Sequence, residues 1–173
     1  YLPVAFDVTN HVAHYENGDV IPAGFKATKN LYDKGNFYQA LVDATNKATL
    51  QVATLKHLAD PVTITFGEFS ALGSADLAKW NNTYVMIPRV NFSLPSGKQS
   101  TVSQDGTTAT SSVFYNKYSD EGAKKKDGTS AVVVMPADGA SVEYNVYGIL
   151  QVFGTKWEIM PIRFVEYSAQ TVT

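Results

Sequence analysis

Along most of this chain the hydrophobic residues recur at every second position, the period of a half-buried strand. Val4, Phe6 and Val8 fall on one face, and Asn17-Gly18 beyond them is a pair that favours tight turns, so a first hairpin is expected there. A second is expected from Val20 to Val42, with its turn at Asp33-Lys34-Gly35-Asn36 and an early glycine, Gly24, in its first strand. The most informative stretch lies near the C-terminus. From Tyr144 to Pro161, two runs rich in Val, Ile and aromatic residues flank a turn at Gly154, and Gly148 within the first run predicts a bend or a close approach of two backbones. The two hairpins share a plan, with Gly24 and Phe37 in the roles of Gly148 and Trp157, which hints at an internal repeat.

Between the hairpins, Ala44 to His57 keeps a β-compatible pattern that would bury Leu50, Val52 and Leu55. Asp60-Pro61 then breaks the chain, and a boundary placed there divides it into a small or partial β-module over residues 1–60 and a barrel module over 61–173. Val62 to Phe66 reads as a strand. Thr65 and Glu68 have the spacing of a capping box, which predicts a helix of one or two turns with Phe69, Leu72 and Leu77 on its buried side and an end or break at Gly73-Ser74. In Tyr84 to Phe92, Val85 and Ile87 share a face, while Pro88 has no N–H for a ladder. A bulge there would shift the register and turn Val90 and Phe92 inward. Residues 95–112, rich in Ser, Thr, Gly and Gln, show no clear period and predict an irregular excursion. Strand character returns at Val113 to Tyr118. A polar loop at Glu121 to Gly128, a short buried strand at Ala131 to Met135 and a turn at Pro136 to Gly139 follow, and the tail from Ser168 is expected to fray.

Composition supports this reading. Hydrophobic residues make up 45% of the 173 and charged ones 17%, a globular balance, and no apolar run approaches the roughly 20 residues that span a bilayer. Ten Tyr, nine Phe and two Trp, with many Thr and Val, are side chains that fit a pleated surface. The formal charge of −2 provides no field to concentrate a polyanion. The absence of Cys removes disulfides, thiolate nucleophiles and Cys-based zinc sites. The chain opens at Tyr1 without Met or an apolar leader, which reads as a processed or trimmed start.

Five stretches together carry a family resemblance: Val62 to Leu72, Asn81 to Val85, Val90 to Phe92, Tyr115 to Tyr118, and the pair Val146-Tyr147-Gly148-Ile149-Leu150 and Lys156-Trp157-Glu158-Ile159-Met160-Pro161. In this order they resemble the OB-fold-like modules of surface lipoproteins from gut-dwelling Gram-negative anaerobic bacteria, over roughly residues 61–167. The resemblance implies an all-β fold of OB-like Greek-key barrel units, one or two in tandem, with one short helix. It also implies an exported location, at the outer-membrane surface or in the periplasm, and a binding role. It supplies no catalytic residues and no cofactor.

Chemistry must therefore come from the residues themselves. His11 and His14, near Asp7 and Glu16, are three apart, and on a strand that spacing puts them on opposite faces, so surface imidazoles are expected and not a metal site. His57 reads as a loop residue. Glu143, Glu158 and Glu166 are scattered through the last strands, and neither a Gly-x-Ser-x-Gly elbow nor a phosphate-cradling Gly loop occurs. The Lys124-Lys125-Lys126 run, framed by Asp120, Glu121 and Asp127, reads as a solvated loop. An enzyme is not indicated.

The remaining candidates are aromatic. OB barrels bind oligonucleotides and oligosaccharides across one strand face, using rings as stacking platforms. Tyr115, Lys117 and Tyr118 would form such a platform, with Tyr147 or Trp157 adjacent, although a Trp opening a barrel strand most often packs in the core. Near-neutral charge favours a glycan or protein ligand over nucleic acid, where phosphate contacts dominate. Three readings follow: a non-catalytic glycan- or protein-binding module, a single-stranded nucleic-acid binder, and a structural module pairing through edge strands such as Tyr84 to Phe92.

Overall fold

The computed structural model describes residues 6–7, 12–13, 26–32, 37–41, 57, 59–116, 124–125, 127–130 and 132–168. The packing of the chain falls into two compact units, one of Tyr1–Asp60 with Asp120–Val132, the other of Pro61–Ser119 with Val133–Thr173. In the first unit, strands β1 (Phe6–Asp7) and β2 (Val12–Ala13) pair antiparallel. Asp7 faces Val12 in this pair, and the turn expected at Asn17-Gly18 lies outside the described residues. Strands β3 (Thr28–Tyr32) and β4 (Phe37–Leu41) form the second expected hairpin around residues 33–36. Gly24, the stretch from Ala44 to Lys56 with Leu50, Val52 and Leu55, and the end of the tail lie outside the described residues. Lys124 and Lys125 are exposed, as expected for a solvated loop.

The second unit is a closed barrel. Strand β5 (Val62–Thr63) leads into α1 (Phe66–Ala71), a 3-10 turn at Ser74–Asp76 and α2 (Leu77–Trp80). Then come β6 (Thr83–Phe92), β7 (Gln99–Gln104), β8 (Thr107–Tyr115), β9 (Tyr144–Phe153) and β10 (Lys156–Glu166). These last five run β6-β7-β8-β10-β9 around the barrel and close by pairing β9 to β6, with β8 and β10 parallel and the other neighbours antiparallel. A five-stranded Greek-key barrel is the OB architecture. The protein is therefore all-β and OB-like, and among the described residues its helices are short turns. The expected single helix is two pieces broken at Gly73, and Thr65 caps the first: its hydroxyl accepts from the Glu68 N–H at 3.2 Å while Glu68 Oε2 accepts from the Thr65 N–H at 2.9 Å.

Local sequence explains the barrel's path. The Ile87–Val90 register shift is the bulge expected at Pro88, and on either side of it Val85, Ile87, Val90 and Phe92 are all at most 2% exposed. Arg89, at the bulge, takes a φ of +54°, a left-handed conformation that residues with a Cβ rarely adopt. Polar groups hold it there: Asn145 Oδ1 accepts from its N–H at 3.1 Å, and Gln104 Nε2 donates to the carbonyls of Pro88 and Arg89. The Arg89 side chain is clamped by the Glu143 carboxylate, 3.1 Å from Nε, and by Asp105, and this raises its already high pKa, the Glu143 hydrogen bond first.

Two expectations are corrected here. Residues 95–112 are not an irregular excursion: they contain β7 and most of β8, joined at Asp105-Gly106, whose φ values of +48° and +78° fit a type I′ hairpin turn. The stretch looked aperiodic because its buried positions are the small or polar Ser100, Val102, Ala109 and Ser112, set among mostly polar neighbours. Residues 132–135, expected to be a buried strand, take no strand structure, and Val134 is 81% exposed. Its apolar run lacks a neighbouring strand in the barrel, since β8 is already flanked by β7 and β10.

Candidate functional site

In the closing hairpin of β9 and β10, Gly154 at φ +64° opens a two-residue turn between Phe153 and Lys156. Strand alternation then sorts the side chains: Leu150, Val152, Trp157 and Ile159 point into the barrel and are at most 5% exposed. Gly148 is where the hairpin bends. A Cβ on it would stand 2.4 Å from the Met160 carbonyl oxygen and 2.6 Å from Ile159 Cγ2, so the backbones meet as expected from sequence. Trp157, 1% exposed, lies among the inward residues opposite Val152 and Ser112. It is therefore corrected from candidate platform to core: an enclosed indole offers no face to a ligand.

The outward residues of the same strands form cross-barrel rows. Thr101 of β7 faces Val113 of β8, Val113 faces Glu158 of β10, and Glu158 faces Gln151 of β9. One step along, Gln99 faces Tyr115, while Met160 faces Ile149 and Ile149 faces Tyr84 of β6. A third row sets Tyr147 between Arg163 and Met86. Tyr115 and Tyr147 thus lie on one outer face, both half-buried, with β10 between their strands. Lys117 and Tyr118 lie outside the described residues.

Glu158 is the unexpected member of this face. It is 3% exposed, and its carboxylate accepts from Gln99 Nε2 and from Gln151 Nε2, each at 3.4 Å. A carboxylate only accepts hydrogen bonds, so each amide turns an N–H toward it and its own carbonyl oxygen away. Two glutamines are thereby oriented by one acid, and Gln99 stands directly opposite Tyr115. Sequence reasoning noted Glu158 as one of several scattered acids; the pairing that joins it to Gln99 is 59 residues long-range and depends on strand order.

Arg163 owes its place to a bulge. Up to Pro161, which faces Gly148, the hairpin pairs in simple register; Arg163 then faces Tyr147, so Ile162 is the extra residue. Without the bulge Arg163 would oppose inward-facing Val146. With it, the exposed guanidinium lies over the Tyr147 ring, 4.0 Å from its centroid. Tyr84 stands diagonally across β6 from Tyr147. Burial raises its phenol pKa above the ordinary value, and the Arg163 charge opposes that shift.

Among the described residues, no three His, Asp or Glu side chains form a metal cluster, and no helix is long and apolar enough to cross a membrane. His11 and His14 lie outside the described residues, and His57 is exposed. Comparisons with known proteins gave no match to a family model, to a curated protein or to a solved structure.

Proposed function

We propose that the barrel is a non-catalytic carbohydrate-binding module whose ligand crosses the outer face of β7, β8, β10 and β9. The observation that carries this reading is the pair of glutamines, Gln99 and Gln151, held by buried Glu158, with Gln99 directly opposite Tyr115 on the same face. Sugars are bound by flat aromatic faces together with fixed donors and acceptors, and preset amides lose little freedom when a hydroxyl docks. The second and third strands of an OB barrel, here β7 and β8, are those that carry oligosaccharide ligands in that architecture. The rows just described hold one cation, Arg163, whereas a nucleic-acid site needs several phosphate contacts.

The resemblance to surface lipoprotein modules extends the proposal to an exported, cell-surface setting, which fractionation of cells making the full-length product would test; recovery in the cytoplasm alone would remove it. The binding reading is tested by a glycan array followed by calorimetry on the glycan retained. Binding should weaken at least tenfold in Tyr115→Ala and in Gln99→Ala, with folding unchanged by circular dichroism. Retention of no glycan, or indifference of both variants, would contradict it, and salt-sensitive binding of a short oligonucleotide at low ionic strength would favour the nucleic-acid alternative.

A further inference from the structure

The chain has two arginines, and they are used differently. Arg89 is hydrogen-bonded to Glu143 and Asp105, so its charge is already matched. Among the described residues the Arg163 side chain has no ion pair and no hydrogen bond: its exposed guanidinium lies over the Tyr147 ring, 4.0 Å from the centroid, near enough to Tyr84 for its charge to act on that phenol. Stacking a guanidinium on a ring leaves its edge, where all five N–H donors point, turned away from the ring. That edge matches a carboxylate bidentately, in a way a lysine ammonium does not. The bulge at Ile162 adds a second, independent indication, because it exists at a cost to the ladder and its effect is to move this one charge from the inward to the outward side.

From this geometry we infer that Arg163, stacked on Tyr147 and flanked by Tyr84, is a carboxylate-binding subsite, and that the glycan it selects is acidic, carrying hexuronic acid units. The inference rests on the glycan reading for its ligand class and adds the charge of that ligand. Tyr147 is a positioning residue for the guanidinium; Arg163 makes the contact with the carboxylate.

The test is calorimetry with an oligogalacturonide and its carboxyl-reduced, neutral counterpart, on the wild-type protein, Arg163→Ala and Arg163→Lys, with succinate as a sugar-free carboxylate. The acidic oligosaccharide should bind at least tenfold more tightly than the reduced one. Arg163→Ala should abolish that ratio, and Arg163→Lys should restore only part of it, because charge returns without the fork. Equal binding of the two oligosaccharides, or an unchanged ratio in Arg163→Ala, overturns the subsite while leaving the glycan reading standing. Succinate binding as tightly as the oligosaccharide, with the same dependence on Arg163, upholds the carboxylate site and removes the glycan. No binding by any of the three probes overturns the subsite.

Discussion

The two faces of the β9–β10 hairpin are built from the same twenty or so residues and obey different rules. Its inward face, with Leu150, Val152, Trp157 and Ile159, is apolar and nearly water-free. It ends in an aromatic cluster where the Phe92 ring sits 5.1 Å from Phe164 and 5.7 Å from Phe114. Its outward face surrounds buried Glu158 and Met160 with Gln151, Tyr147 and Arg163, which are placed by hydrogen bonds and a bulge. The inner face accounts for the barrel's existence, and the outer face has polar order that the fold itself does not require. A residue's side of the strand, more than its chemical type, therefore decides its surroundings: Trp157 and Tyr147 are both aromatic, and only the second lies on the outer side.

Substitutions should separate the two faces sharply. Trp157→Ala should cost about 3–5 kcal/mol, the range for emptying an aromatic core position, read as a loss of unfolding free energy in urea. Gly148→Ala should follow at about 3 kcal/mol, since its Cβ would overlap the Met160 carbonyl, 2.4 Å away, and neither strand has a soft side chain to give way. Glu158→Gln lies between the faces: an amide in place of a buried acceptor should cost about 1–3 kcal/mol and also weaken glycan binding, because Gln99 and Gln151 lose their common anchor. Tyr147→Ala and Arg163→Ala should each change stability by less than about 0.5 kcal/mol while altering ligand choice. If either outward variant destabilised the protein as Trp157→Ala does, the distinction between the faces would fail.

A smaller effect concerns pH. The Glu68 carboxyl is held below its ordinary value, first by the Thr65 backbone N–H and then by its hydroxyl. Its folded pKa being the lower one, this contribution is complete above the unfolded carboxylate pKa and fades as pH falls through the folded value. Thr65→Ala should cost about 1 kcal/mol at neutral pH and make the acid limb of a stability–pH curve shallower. An unchanged acid limb would show that the cap does not couple to Glu68.

Much of the inner face was legible in the chain. Pro88 announced the bulge that keeps Val85, Ile87, Val90 and Phe92 on one side, and Gly148 announced the close approach to Met160. Thr65 and Glu68 announced the cap. The β7–β8 hairpin was missed although Asp105-Gly106 is a turn signal, because Ser, Thr and Gln flank it and burial falls on small residues. The run ending at Met135 was misread for the converse reason: hydrophobic residues without a strand to pair with do not make a strand. On the outer face, Tyr115 and Tyr147 were found by residue type, but their partners were not. Which side Arg163 occupies depends on a one-residue bulge, and which acid meets Gln99 depends on β8 and β10 running parallel; neither leaves a local mark in the sequence.

The central claim is that this outer face is where the molecule meets its ligand, and chemical-shift mapping with the glycan retained on the array tests it most directly. The account predicts perturbations at Gln99, Tyr115, Tyr147, Gln151 and the Arg163 Nε–H, with the Trp157 indole N–H unmoved. Shifts confined to the α1–α2 segment or to the inner-face residues, with those five positions silent, would contradict it.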